Sequence, residues 1–167
     1  LNLTAEQHWL DFGAGTGVLS VPLAKHVARV TALDTSAEML ERLVAKNVAN
    51  ITTLQQDIFT GLSQQYDGII SSMALHHVAD TQRLLNCMHD ALVSNGQLAL
   101  IDLYAEDGSF HRDNEAMGVK HLGFDPDELI SKAEQAGFQQ LSVQQISSIE
   151  KSNGRSYPLF LLLGTAR

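Results

Sequence analysis

The sequence predicts an α/β fold built on a doubly wound, mostly parallel sheet. Short apolar segments that read as strands alternate along the chain with segments of helical periodicity. The first strand runs into a glycine-rich turn that opens a helix. The last two strands are joined by the hairpin-type turn Ser152-Asn153-Gly154, so we expect them to pair antiparallel at one edge. The length of 167 residues fits one domain with its own core, which we expect to span residues 1–167.

The strands are predicted from apolar runs that are bounded by turn residues. In chain order they cover residues 8–12, 29–33, 51–55, 66–71, 97–103, 139–148 and 157–164. Helices are predicted from apolar stripes and capping residues over 16–26, 35–47, 80–93 and 125–137. Thr35 and Glu38 have the spacing of a capping box at the start of the second helix. The polar segment 104–124 is long, and loops of that length are usually functional or mobile.

The composition excludes several classes of function. The formal net charge is −8, from 19 acidic and 11 basic residues, and the basic residues are scattered, so we expect no nucleic-acid partner. No apolar run approaches the roughly 20 residues of a membrane helix. No signal-peptide pattern is present, so we expect no membrane association and a cytoplasmic location. Cys87 is the only cysteine, which excludes a disulfide framework and a cysteine-based metal site.

The most informative segment is the turn after the first strand, 11–17, which reads D-F-G-A-G-T-G. Gly13 and Gly15 let the backbone bend sharply and let a ligand approach where a Cβ would collide. The Asp11 carboxylate repels a pyrophosphate and favours a cation, so the turn suits a positively charged nucleoside. Asp34 ends the neighbouring strand roughly 20 residues further on, where a carboxylate can accept hydrogen bonds from both hydroxyls of a ribose.

Together these features resemble the class I S-adenosylmethionine-dependent methyltransferases. The resemblance covers the chain from residue 8 onward and includes Gln56-Asp57-Ile58 after the third strand. The segment 71–78 after the fourth strand is similar to the branch that acts on small molecules. The resemblance implies a Rossmann-like sheet of seven strands in the order 3-2-1-4-5-7-6, with an antiparallel last strand. It also implies S-adenosylmethionine as cofactor, S-adenosylhomocysteine as product and a small-molecule methyl acceptor.

The resemblance also assigns residues to the cofactor, at the carboxyl ends of the strands. Asp57 would accept from the adenine amine, with Ile58 and Met39 on either side of the ring, and Ser72 and Met73 would line the methionyl arm. The alternatives are that Asp57 caps the strand end and that Met39 packs in the core. Asp11 would balance the cofactor's ammonium, and the turn amides would face its methionine end. The expected cofactor-binding residues are Asp11, Gly13, Ala14, Gly15, Asp34, Thr35, Met39, Asp57, Ile58, Ser72 and Met73.

His77 and His111 are the candidate catalytic residues. Methyl transfer depends mainly on in-line alignment, and a base is needed only where the acceptor must lose a proton. A neutral histidine near pH 7 can fill that role. The alternative is that His77 packs against the cofactor while His76 caps the next helix. His111 and His121 could join His76 or His77 at a metal ion, but their spacing fits no compact ligand motif, so no metal is expected.

Two other functions remain open. A nicotinamide-dependent (NAD) oxidoreductase would need a glycine at position 18 to complete G-x-G-x-x-G, and Val18 stands there. The other is a non-catalytic module that binds S-adenosylmethionine. The chain starts at Leu1 without a methionine and only a few residues before the first strand. Family members normally carry covering helices there, so we expect the N-terminal cap helices to be missing.

Overall fold

The computed structural model describes residues 1–167 and has seven strands. They are β1 (His8–Phe12), β2 (Arg29–Asp34), β3 (Ile51–Gln55), β4 (Tyr66–Ser72), β5 (Leu92–Leu103), β6 (Phe138–Glu150) and β7 (Ser156–Ala166). They form one sheet in the order β3-β2-β1-β4-β5-β7-β6. The pairs are parallel except that β7 runs antiparallel to both β5 and β6. The predicted strand order and antiparallel edge are therefore confirmed.

Four α-helices connect the strands, and their first and last residues differ from the predicted ones. They are α1 (Ser20–Leu23), α2 (Ala37–Val44), α3 (Thr81–Asp90) and α4 (Pro126–Gln135). The helix predicted over 16–26 contracts to a single turn, because Gly17 has a φ of +84° and lies outside the helical region. The helix predicted to reach residue 93 ends at Asp90, because Leu92 already pairs with Tyr66 as the start of β5.

The capping residues decide where the helices begin. Asp80 accepts from the backbone N–H of Arg83 and caps α3, and Asp125 accepts from two N–H groups and caps α4, both as predicted. The predicted capping box of Thr35 and Glu38 is wrong, because Ser36 caps α2 by accepting from the N–H of Met39. Asp34 accepts a hydrogen bond from the Ser36 N–H and holds Ser36 in an extended conformation. The N-cap therefore lies one residue later than predicted.

The two faces of the sheet carry separate cores, as expected of a doubly wound fold. One face packs against α3 and α4 through a cluster of 20 buried residues that includes Leu10, Ile69 and Leu98. The other face packs against α1 through Trp9, Val30 and neighbouring residues. Successive residues of one strand, such as Trp9 and Leu10, therefore pack into opposite cores. None of the helices is both long and apolar enough to cross a membrane.

Candidate functional site

A cleft of about 720 Å³ lies at the carboxyl ends of β1 to β4. Its walls come from the glycine-rich turn, the end of β2, the segments that follow β3 and β4, and Lys120 of the long loop before α4. Open parallel sheets bind ligands at this position, outside the carboxyl ends of the strands and where the strand order reverses. The volume falls in the range of cavities that hold small molecules and cofactors, roughly 300–1,000 Å³.

Most residues predicted to bind the cofactor line this cleft. They are Gly13, Gly15, Asp34, Thr35, Met39, Asp57, Ile58 and Met73, and the predicted catalytic residue His77 joins them. The structure does not bring Asp11, Ala14, Ser72 or His111 into the lining. Sequence reasoning missed Phe12, Phe59 and Lys120, which do line it, because their places depend on how the loops fold together.

Asp34 connects the two loops that form the floor of the cleft. Its Oδ2 accepts from the N–H of Gly15 at 2.8 Å, and its Oδ1 accepts from the N–H of Ser36 at 2.9 Å. A carboxylate offers about four acceptor positions, so each oxygen keeps capacity for a ligand hydroxyl. The side chain thus fixes the turn after β1 against the start of α2 and still has acceptor positions for a ribose.

The turn after β1 requires glycine at position 13. Gly13 has a φ of +66°, and a Cβ built there would collide with the Cβ of Ala74 in the segment after β4. The N–H of Ala14 donates to the carbonyl of Leu33 at 3.0 Å, which ties the turn to β2 as well. The turn therefore packs against the segment after β4 and is hydrogen-bonded to the end of β2, which fixes the floor of the cleft.

Asp11 lies behind this turn, where it is 1% exposed and accepts a hydrogen bond from the Ser20 hydroxyl at 2.6 Å. Burial raises the pKa of Asp11 to about 7, with Asp34 adding to the rise and the Ser20 hydrogen bond opposing it. Contact between Asp11 and a cofactor ammonium stays a prediction, since the carboxyl group is not part of the cleft lining. Ser20, the partner of Asp11, was not found from the sequence.

The far wall of the cleft follows β3. Asp57 accepts from the N–H of Phe59 at 2.9 Å through Oδ1 and caps the short 3₁₀ turn Ile58–Thr60, as the capping alternative supposed. Its second carboxylate oxygen, Oδ2, has no protein hydrogen-bond partner. The alternative that Met39 packs in the core is wrong, because Met39 is 41% exposed and borders the cleft. An apolar side chain and a carboxylate therefore face the same space.

Three histidines meet beside the cleft. One ring nitrogen each of His76, His77 and His111 lies within 4.8 Å of the other two. His76 is 1% exposed, and its Nδ1 lies 2.7 Å from Oδ1 of the fully buried Asp102. The alternative that His76 caps the following helix is wrong, since Asp80 holds that position. His121 is not in the group, because its Nε2 lies 2.9 Å from the carbonyl oxygen of Val78 near the start of α3.

The electrostatic setting keeps two of these histidines neutral near pH 7. Burial, helped by the neighbouring His76, lowers the pKa of His77 and of His111 below the usual value for histidine. Asp34, Asp57 and Lys120 are the carboxylates and the ammonium group around the cleft. The site thus offers carboxylate acceptors and a neutral imidazole on one wall.

A backbone feature marks the same place. Met73, at the end of β4, has a φ of +58°, a left-handed conformation that non-glycine residues adopt infrequently. Its N–H donates to the carbonyl of Ile101 at 2.9 Å, which holds it there. Such conformations occur often at ligand sites, where the surrounding structure maintains them.

Comparison with known proteins gives a consistent result. A family model described as a methyltransferase domain matches residues 2–143. An uncharacterized methyltransferase of Schizosaccharomyces pombe is 30% identical over 141 residues, which cover 73% of this chain and 50% of that protein. The ubiquinone biosynthesis O-methyltransferase of Coxiella burnetii is 43% identical over 98 residues, which cover 54% of this chain and 40% of that protein. The chain therefore spans about half or less of the length of these relatives.

The fold also matches solved structures. An S-adenosylmethionine-dependent methyltransferase of Mesorhizobium loti superimposes with a TM-score of 0.81 at 22% identity, covering 99% of this chain and 93% of the other. The match therefore extends over nearly the whole chain.

Proposed function

Because the chain belongs to the class I S-adenosylmethionine-dependent methyltransferases, we propose that it binds S-adenosylmethionine in the cleft and transfers the methyl group to a small molecule. The observation that carries this proposal is the Asp34 carboxylate at the floor of the cleft. It is held by the amides of Gly15 and Ser36 and retains acceptor positions for the two ribose hydroxyls. The adjoining turn is built from glycines that leave its backbone open to a ligand.

The charges of the cleft support a cationic nucleoside. Asp34 at the floor and Asp57 on the wall after β3 bring two carboxylates to the cleft, which favours a cationic ligand over one that carries a pyrophosphate. Met39, Ile58 and Phe59 give the wall near Asp57 an apolar surface against which an adenine ring can pack. Val18 stands in place of the third glycine of G-x-G-x-x-G, which disfavours the alternative that the turn binds a dinucleotide.

For methyl transfer, the protein must position the methyl acceptor and provide a group that takes its proton. S-adenosylmethionine supplies an electrophilic methyl group on sulfur, so the protein needs to hold the acceptor atom in line with the carbon–sulfur bond. His77 lines the cleft, and its lowered pKa leaves it neutral near pH 7. We assign it as the base that takes the proton of a hydroxyl acceptor as the new bond forms. His111 lies next to His77, with their ring centroids 5.9 Å apart, and we assign it to contact with the methyl acceptor.

The relative from Coxiella burnetii is named as an O-methyltransferase. That name supports a hydroxyl group as the methyl acceptor of this chain. Because the match covers only 40% of the relative, the identity of the acceptor is proposed and must be tested. The acceptor class is therefore tested with a panel of small molecules that carry phenol, alcohol, amine or thiol groups.

The test is a transfer assay with methyl-labelled S-adenosylmethionine and that panel. We expect transfer to a hydroxyl acceptor, and the variant His77→Gln should lower kcat by roughly 10²–10⁴ with little change in cofactor affinity, because only a base is lost. His26→Gln is the matched control, since His26 is exposed and away from the cleft. Cofactor binding without transfer to any panel member would instead favour the non-catalytic module.

A further inference from the structure

We propose that His76, His77 and His111 bind one divalent transition-metal ion of the zinc class, with Asp102 orienting His76. The sequence predicts no metal because its histidines lack a compact ligand spacing. The fold nevertheless brings His111 beside His76 and His77. Imidazole nitrogens are the ligands that zinc and its neighbours in the first transition series prefer. Binding of the ion does not depend on the proposed methyl transfer.

The buried dyad of His76 and Asp102 has the arrangement found behind many metal-binding histidines. The Nδ1 of His76 donates to Oδ1 of Asp102 at 2.7 Å, and both side chains are at most 1% exposed. In the neutral form of the ring, this hydrogen bond places the proton on Nδ1 and leaves the lone pair on Nε2 for an ion. Metal-bound histidines commonly donate their other N–H to a carboxylate, which sets the ring orientation and raises its basicity.

Two of the remaining ring nitrogens of the cluster lack protein partners, whereas His77 Nδ1 lies 3.3 Å from the carbonyl oxygen of Gly118. His76 Nε2 and His111 Nδ1 are both buried and form no hydrogen bond. A buried polar atom without a partner costs about 1–3 kcal/mol, so two of them in one cluster require an explanation. An ion between the rings would satisfy both atoms at once.

The rings are close enough for one ion to draw them together. The centroids of His76 and His77 lie 4.2 Å apart, and those of His76 and His111 lie 5.1 Å apart. Nitrogens bound to one tetrahedral zinc are about 3.4 Å apart, given bond lengths of about 2.0–2.1 Å. The separation of up to 4.8 Å must therefore close by roughly 1–1.5 Å. The exposed His77 and the long loop that carries His111 can provide this movement.

A site with three protein ligands leaves a coordination position open, as in catalytic rather than structural zinc sites. A metal-bound His77 has no free lone pair, so with the ion present the hydroxyl acceptor would lose its proton by binding at this open position beside the cleft and not to His77 as the base. This use of the ion rests on the proposed function. The ion itself can be detected without any methyl acceptor.

The first experiment measures metal binding directly. The chain is stripped with a chelator and titrated with Co²⁺, followed by its visible absorption, and then with Zn²⁺ as a competitor. We expect one ion per chain and a tetrahedral Co²⁺ spectrum. His77→Ala and His111→Ala should each weaken binding on the order of 100-fold or more. The control His26→Ala, which removes an exposed histidine elsewhere, should bind as the wild type does.

A second variant tests the orienting role of Asp102. Asp102→Asn keeps the volume of the side chain but removes the charge, and it should weaken Co²⁺ binding about 10- to 100-fold. A shifted Co²⁺ spectrum in the residual complex distinguishes orientation from simple loss of fold, which circular dichroism of the same sample checks.

The result that would overturn the site is a stripped wild-type chain that binds no Co²⁺, or one whose affinity is unchanged in His77→Ala and His111→Ala. S-adenosylhomocysteine binding is measured on the same samples. Metal binding without nucleoside binding keeps this inference and rejects the proposed function, whereas nucleoside binding without metal does the reverse.

Discussion

Asp34 holds together two segments that line the cleft, because its carboxylate accepts hydrogen bonds from the N–H groups of both Gly15 and Ser36. We predict that Asp34→Asn weakens S-adenosylhomocysteine binding by about 1.5–3 kcal/mol, the range for hydrogen bonds that involve a charged group. The amide cannot accept through both atoms, so one loop contact is lost together with part of the ribose contact. Titration calorimetry measures the change in affinity.

Glu41→Gln is the matched control, because it removes the same charge from an exposed position on α2. Its affinity for S-adenosylhomocysteine should equal that of the wild type. A melting temperature lowered in Asp34→Asn with unchanged affinity would reduce Asp34 to a structural role and contradict the ribose assignment.

Asp11 should give stability a distinct pH dependence. Its folded-state pKa of about 7 lies above the unfolded value near 3.9, so the folded chain holds the proton more tightly. The contribution of Asp11 to stability is therefore complete below about pH 4 and is lost as the pH rises through 7. We predict that the wild type loses on the order of 2–4 kcal/mol relative to Asp11→Asn between pH 4 and pH 8.

Urea unfolding of both chains over that pH range measures this difference. The comparison is needed because His8, His77 and His111 have lowered pKa values and act in the opposite direction, adding stability as the pH rises. Their contribution is common to both chains and cancels. A difference that stays flat, or that favours the wild type at pH 8, would show that Asp11 is not buried as a neutral acid.

Among the single elements, local sequence indicated the strands, apart from the first five residues of β5, and the helix starts that have strong side-chain caps. Asp80 and Asp125 cap α3 and α4 through contacts within three residues, so their pattern is visible in the sequence. The start of α2 was misplaced because Ser36 is held by Asp34, a side chain outside the helix. Helix α1 was overestimated because the turn that precedes it extends through Gly17.

The histidine cluster shows where sequence reasoning stops. His76 and His77 are neighbours, but His111 comes from the long loop, and no local pattern indicates that it returns to them. The loop is fixed by tertiary contacts. The N–H groups of Lys120 and His121 donate to the carbonyl of His76, and the Phe110 ring packs 5.1 Å from the Tyr157 ring. Such contacts join distant segments, so only the folded chain reveals them.

At the scale of the whole molecule, the carboxyl ends of the parallel strands bring the site residues together. Asp34 and Asp57 follow different strands, and His77 follows a third, yet all three line one cleft. This convergence could be predicted, because parallel strands in one sheet present their carboxyl ends at one edge. The buried position of Asp11 could not, since it depends on the packing of Ser20 from α1 against the turn.

We expect the cleft to bind the cofactor of methyl transfer and not a dinucleotide. Calorimetric titration of the chain with S-adenosylhomocysteine and, separately, with NAD distinguishes the two ligands. We predict saturable one-to-one binding of S-adenosylhomocysteine and no measurable binding of NAD. Tight binding of NAD together with no response to S-adenosylhomocysteine would show that the cleft is a dinucleotide site.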